Sequence, residues 1–216
     1  MPARGDPASA QTAQPTSLVA TTPDTPSTPR PGELFRLAAA VYLVLALLGL
    51  GGIGIARGGI PPALLLPALP WWVDVLAGAA AAALLLGAWW LVRRFALARE
   101  LEARLRDRLG PLGPGEAYGL ALLSGVAEEV FFRGALQPAI GMPVATLLFA
   151  VLHSGRGRAM LLWTASALVA GSLLGALMLW RGSLFAPILC HTLVNAVQLR
   201  RLLVVTAHGS AAPPAT

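Results

Sequence analysis

Three short polar patterns stand inside stretches that are otherwise apolar. They are Glu128-Glu129-Val130-Phe131-Phe132-Arg133, Phe149-Ala150-Val151-Leu152-His153 and His191-Thr192-Leu193-Val194-Asn195. Ionisable groups within membrane spans are costly, so each is a functional suspect by default. A glutamate, two histidines and an amide at one level of a helical bundle have the chemistry for hydrolysis. Glu128 would act as general base on a water that His153 helps to hold and polarise. His191 and Asn195 would donate hydrogen bonds to the oxyanion formed when a peptide carbonyl is attacked. In a second reading, Glu128, His153 and His191 ligate a zinc ion as a His/His/Glu set. Residue types and spacing accommodate both.

Helical spacing sorts these groups further. Glu129 and Arg133 are four apart on one face, so they can pair and neutralise each other. A purely structural ion pair is the plain reading of those two. Glu128 is rotated by about 100° from that face and lacks that partner, which suits a carboxylate facing a wet cavity. His191 and Asn195 are again four apart and project together. Glu128 lies about 12 residues in from the start of its span, or ~18 Å. His191 lies about 8 residues in from the opposite side, or ~12 Å. In a hydrocarbon core of ~30 Å the two depths coincide.

The elements that must position these residues are apolar helices. Of the 216 residues, 56% are hydrophobic and only 12% are charged, with a mean hydropathy of +0.69. Soluble domains carry about twice that share of charge. The apolar residues come in blocks, at about 34–56, 71–92, 116–136, 142–153, 159–180 and 183–207. The expected fold is therefore all-α, a polytopic transmembrane bundle of about six spans. Residues 1–32 read as a disordered Pro/Thr/Ser/Ala-rich tail, 33–207 as one membrane domain and 208–216 as a short tail, where His208 gets no role. The pairs Trp71/Trp72 and Trp89/Trp90 bracket the second block like an aromatic belt. Asp74, beside the first pair, reads as a hydrated end residue. The charged stretch 93–108 reads as a surface helix or an extension of that span. Gly171, Gly175 and Ala176 suit close helix packing.

Every one of the 16 basic residues is arginine, and the net charge is +6. The arginines sit at the ends of apolar blocks, where topology signals sit, and not on a solvated face beside stacking aromatics, so nucleic acid is not expected as a partner. With the N-terminus in the cytoplasm, thirteen arginines fall inside, Arg57 and Arg181 outside, and Arg133 within a span. That bias predicts cytoplasmic N- and C-termini and a multi-pass protein of the cell membrane. Cys190 is the sole cysteine, which excludes a disulfide framework and a Cys-based zinc site. Inside an apolar run it reads as small core filler.

Taken together, Glu-Glu-x-x-x-Arg at 128–133, Phe-x-x-x-His at 149–153 and His-x-x-x-Asn at 191–195 resemble the three motifs of the CAAX-protease and bacteriocin-processing family, relatives of the type II prenyl-protein endopeptidase. Connecting sequence agrees, in Phe132-Arg133-Gly134-Ala135-Leu136 and in Gly182-Ser183-Leu184-Phe185-Ala186-Pro187-Ile188. The resemblance covers about 117–199 and implies an intramembrane endopeptidase acting within the bilayer. By motif position it makes Glu128 the catalytic glutamate, His153 its water-activating partner, His191 and Asn195 the oxyanion side, and Glu129 with Arg133 the supporting pair. The family has been described both as metalloproteases and as metal-free glutamic proteases. The metal-free form is the expectation here, with zinc as the alternative. Substrates implied are membrane-associated proteins or peptides presenting a prenylated C-terminus, a leader peptide or a C-terminal anchor. The chain's small size resembles compact bacterial members, including the myxosortase-like proteases that remove sorting anchors.

Two other classes compete. A non-enzymatic membrane scaffold or immunity protein would keep the constellation as buried polar glue. A small transporter would use it as a proton relay, but paired broken helices and inverted repeats are missing. No serine motif, GxGD aspartate pair or HExxH helix appears.

Overall fold

The computed structural model describes residues 32–109 and 112–209, with side chains through Leu203. Of the expected tails at 1–32 and 208–216, residues 1–31 and 210–216 lie outside the described residues, as do the side chain of His208 and the break at Gly110-Pro111, while α9 continues through Gly209. What is described is an all-α helical membrane bundle. Three helices are long and apolar enough to cross a membrane: α1 (Glu33–Arg57), α3 (Trp71–Val92) and α8 (Arg158–Arg181). Between them lie the short α2 (Pro62–Leu65), the charged α4 (Ala96–Leu109), α5 (Pro114–Glu129), α6 (Gln137–Ile140) and α7 (Met142–Leu152). The chain closes with α9 (Phe185–Gly209).

Local sequence explains several boundaries. α5 starts at Pro114, whose missing N–H costs nothing in a first turn, and Glu116 reaches back to the Gly113 N–H at 2.7 Å. α1 and α8 each end on a glycine in the left-handed region, Gly58 and Gly182. The expected continuous span at 116–136 differs in one respect. From Val130 to Leu136 the backbone winds as a π-helix, and the Gln137 N–H donates to the Phe132 carbonyl. Pro138 cannot donate to the Gly134 carbonyl one turn back, which favours a wider register just before it.

The loop before α3 is anchored to the bundle. Its α2 turn is tucked under the α8–α9 connection: the Leu184 N–H donates to the Leu64 carbonyl at 2.8 Å, and the Ser183 hydroxyl donates to the Leu66 carbonyl at 2.6 Å. Ser183 Oγ also accepts the Phe185 N–H, capping the start of α9. Asp74 corrects the expectation of a hydrated end residue. It is fully buried, pairs with Arg181 at the end of α8, and accepts the backbone N–H of Ala68. A carboxylate at the first turn of α3 also meets the positive end of the helix dipole.

α5 packs most extensively on α9, and α3 on α9. The α5–α9 crossing is close because Gly125 has no side chain: a Cβ there would lie 2.3 Å from Thr192 Oγ1 and 2.9 Å from the Thr192 nitrogen. Gly171 and Gly175 sit where α8 meets the π segment and α7, as small residues should. Ala176 departs from that expectation and faces outward. Cys190 is buried among Ala81, Ala82, Leu174 and Leu177 as packing. α4 is a separate helix that buries Ala98 and Leu101 against Ala159 and Met160 at the start of α8.

Candidate active site

The polar residues converge because three helices deliver them to one cavity. The close α5–α9 crossing faces Glu128 and Glu129 toward His191 and Asn195, and the end of α7 brings in His153. Glu128 Oε2 stands 3.8 Å from His153 Nε2 and 4.0 Å from His191 Nε2. Glu128 and His191 are each 7% exposed, and the cavity they line measures about 660 Å³. Its remaining wall is mostly aliphatic and aromatic, with contributions from α1, α3, α4 and α8.

Hydrogen-bond partners fix which ring nitrogens face the cavity. His153 Nδ1 lies 2.8 Å from the Phe149 carbonyl, which can only accept, so Nδ1 carries a proton, and in the neutral form of the ring Nε2 turns a lone pair toward Glu128. The ring is wedged between Phe149, at 4.4 Å between centroids, and Trp163, at 5.3 Å. His191 Nδ1 lies 2.8 Å from Glu129 Oε1 and by the same argument donates to it, leaving Nε2 aimed at Glu128. Glu128 Oε2 is buried without a hydrogen-bond partner among the described residues. Two acceptors, carboxylate oxygen and imidazole nitrogen, thus confront each other across 3.8 Å. A water fits that arrangement, because it can give one O–H to each and keep its oxygen lone pairs for attack.

Glu129 has more partners than spacing assigned to it. It pairs with Arg133 at 3.5 Å, both side chains fully buried, and also orients His191. Arg133 in turn donates to the Gly171 carbonyl at 3.1 Å and stacks over Phe149 at 4.9 Å. Asn195 lines the cavity and donates one amide hydrogen to Ser124 Oγ at 2.8 Å, leaving the second without a partner among the described residues. The structure therefore brings together all six residues singled out in the sequence. It adds three that the motifs did not reveal: Tyr42, which reaches from α1 to Glu128 and Ser124, Ser124 itself and Trp163. The signal for Tyr42 is faint, a lone phenol in an aliphatic span. Trp163 reads as ordinary packing until the fold sets it beside His153.

Zinc asks more of the donor set than it gives. Tetrahedral bonds of about 2.0–2.2 Å would hold donor atoms within about 3.5 Å of each other. The separations here are 3.8 and 4.0 Å, and among the described residues no group of three His, Cys, Asp or Glu side chains is placed to hold a metal ion. As placed, Glu128, His153 and His191 do not form a zinc site.

Comparison with known proteins now bears on this geometry. Residues 114–197 match the family model described as type II CAAX prenyl endopeptidase Rce1-like. That segment, less than half of the chain, is similar to the Rce1-like family. It contains every polar residue of the cavity named above except Tyr42. An uncharacterized protein of Bacillus subtilis (strain 168), YpbD, is 41% identical over 80 residues, a stretch that makes up 36% of this chain and 41% of that protein. No solved structure matches the chain.

Proposed function

We propose that the chain is an intramembrane endopeptidase that hydrolyses a peptide bond of a membrane-associated protein or peptide through a glutamate-activated water. The observation that carries this reading is the unpartnered Glu128 Oε2 confronting His153 Nε2 at 3.8 Å inside a largely apolar cavity. A water between them loses a proton to Glu128 as its oxygen attacks the scissile carbonyl. His153, held by the Phe149 carbonyl and two aromatic rings, orients that water. Asn195 offers its second amide hydrogen to the carbonyl oxygen as charge develops there. His191 can assist only as an imidazolium, because its Nδ1–H is already given to Glu129. Glu128 then passes its proton to the departing amine, which balances the hydrolysis.

The apolar wall suits an extended chain that carries lipid or comes from a membrane segment. Similarity to type II CAAX prenyl endopeptidases favours a prenylated C-terminus over a leader peptide or a C-terminal anchor. Arginine placement supports a multi-pass protein of the cell membrane. The test compares protein termini in native membranes carrying wild type or Glu128→Gln at equal abundance. New C-termini present only with wild type are expected, and their sequences name the substrate class. Identical termini for the two proteins would overturn the protease reading for the substrates expressed and favour a scaffold.

A further inference from the structure

A second hollow, of about 380 Å³, lies where the end of α3, the middle of α4 and the later turns of α9 meet. It adjoins the catalytic cavity, sharing Glu102, Gln198 and Leu202 with it. Four arginines line it, Arg93, Arg106, Arg200 and Arg201, against the single carboxylate of Glu102. That carboxylate is already engaged, accepting the Trp89 indole N–H at 3.0 Å and pairing with Arg201 at 3.3 Å. Arg106 donates through Nε to the Leu202 carbonyl at 3.3 Å, and Arg200 donates to the Tyr118 hydroxyl at 3.1 Å. Each contact uses a fraction of a guanidinium's five donors. Arg93 makes no side-chain hydrogen bond or ion pair among the described residues.

Positive-inside topology asks only that arginines be somewhere in the inner loops. It does not ask that four of them, from three elements, converge on one concavity with a net charge of +3. Such convergence repels unless an anion sits between the guanidinium groups, and their planar forks match phosphate oxygens. Location narrows the source of the phosphate. Arg93 caps the last turn of α3, a 22-residue helix apolar enough to cross a membrane, so the hollow lies at headgroup depth. Val197, on its wall, is 40% exposed and offers an acyl chain an apolar neighbour. We propose that this pocket binds the phosphate of an anionic membrane-lipid headgroup.

The test uses the purified full chain in a neutral detergent. Its unfolding temperature is followed during titration with phosphatidylglycerol, phosphatidylcholine or inorganic phosphate. Phosphatidylglycerol raises it saturably, while the other two leave it unchanged. Arg93→Gln/Arg200→Gln weakens the apparent phosphatidylglycerol affinity about thirtyfold, at about fivefold per arginine. Arg99→Gln/Arg158→Gln, which removes equal charge away from the pocket, leaves that affinity unchanged. Arg93→Gln alone, at a side chain with no hydrogen-bond or ion-pair partner among the described residues, gives the fivefold loss even if the double variant does not fold. Three results would overturn the proposal: equal shifts with the two lipids, inorganic phosphate reproducing the effect, or pocket variants that retain wild-type affinity.

Discussion

Glu128 and Arg133 are both ionisable and buried, yet their surroundings predict opposite consequences of removal. Glu128 Oε2 has no hydrogen-bond partner among the described residues, so Glu128→Gln keeps the side-chain volume and breaks no such bond at that oxygen. The rate of cleavage should fall by about 10²–10⁴, the contribution of a positioned general base, with the unfolding temperature unchanged. Arg133 balances a fully buried Glu129, so Arg133→Met strands a charge and should cost about 3–5 kcal/mol of stability. Measuring initial rate and thermal unfolding on both variants separates catalysis from scaffolding, since a scaffold would show no selective loss at Glu128. Metal removal is a third probe: because the three candidate ligands stand too far apart for zinc, cleavage should survive phenanthroline or EDTA at full rate, and a loss restored by added zinc would require the three side chains to close on a metal. The motif residues were legible because buried charge is rare enough in an apolar sequence to be conspicuous. The link from Glu129 to His191 was not legible, since helical spacing relates residues along one helix and says nothing about who stands opposite.

At the scale of elements, the α5–α9 crossing sets whether those residues meet. A Cβ on Gly125 would collide with the backbone of Thr192 as well as its hydroxyl, so trimming the threonine cannot relieve it. Gly125→Ala should therefore cost about 1–3 kcal/mol and lower cleavage together with stability, and Thr192→Ala should not rescue either. Rescue would mean that the crossing is governed by side chains, leaving the register of Glu128 against His191 free to adjust. Apolar blocks located the helices to within a few residues, because long hydrophobic runs have few alternatives in a bilayer. Irregular pieces were harder. The π segment depends on how Pro138 and the neighbouring helices share one stretch of backbone, and periodicity assumes a single register throughout. The burial of Asp74 is hidden from the sequence for a related reason: its partner Arg181 is 107 residues away, at the end of another helix.

For the whole molecule, orientation decides which compartment can reach the cavity's rim, and the arginine bias makes it testable with one native cysteine. Cys190 is fully buried, so the wild-type protein should resist an impermeant thiol reagent and serve as the blank. Ile60, in the turn before α2, is 42% exposed, and Arg99 lies on the open face of α4. These two positions flank α3 at its opposite ends, with the first at the arginine-poor side and the second in the densest arginine segment. In intact cells Ile60→Cys should be labelled and Arg99→Cys should not, with the latter reacting only after the membrane is opened. The reverse pattern would place α4, the α3 terminus and the neighbouring part of the cavity outside, and would turn every one of the thirteen inner arginines outward. Labelling of both in intact cells would mean that α3 does not separate them, which its length of 22 residues, its apolar composition and its packing along α9 argue against. The expected pattern puts the rim formed by Trp89, Glu102 and Leu105 on the cytoplasmic side. A substrate's soluble portion would then stay in the cytoplasm while the bond to be cut enters between the helices.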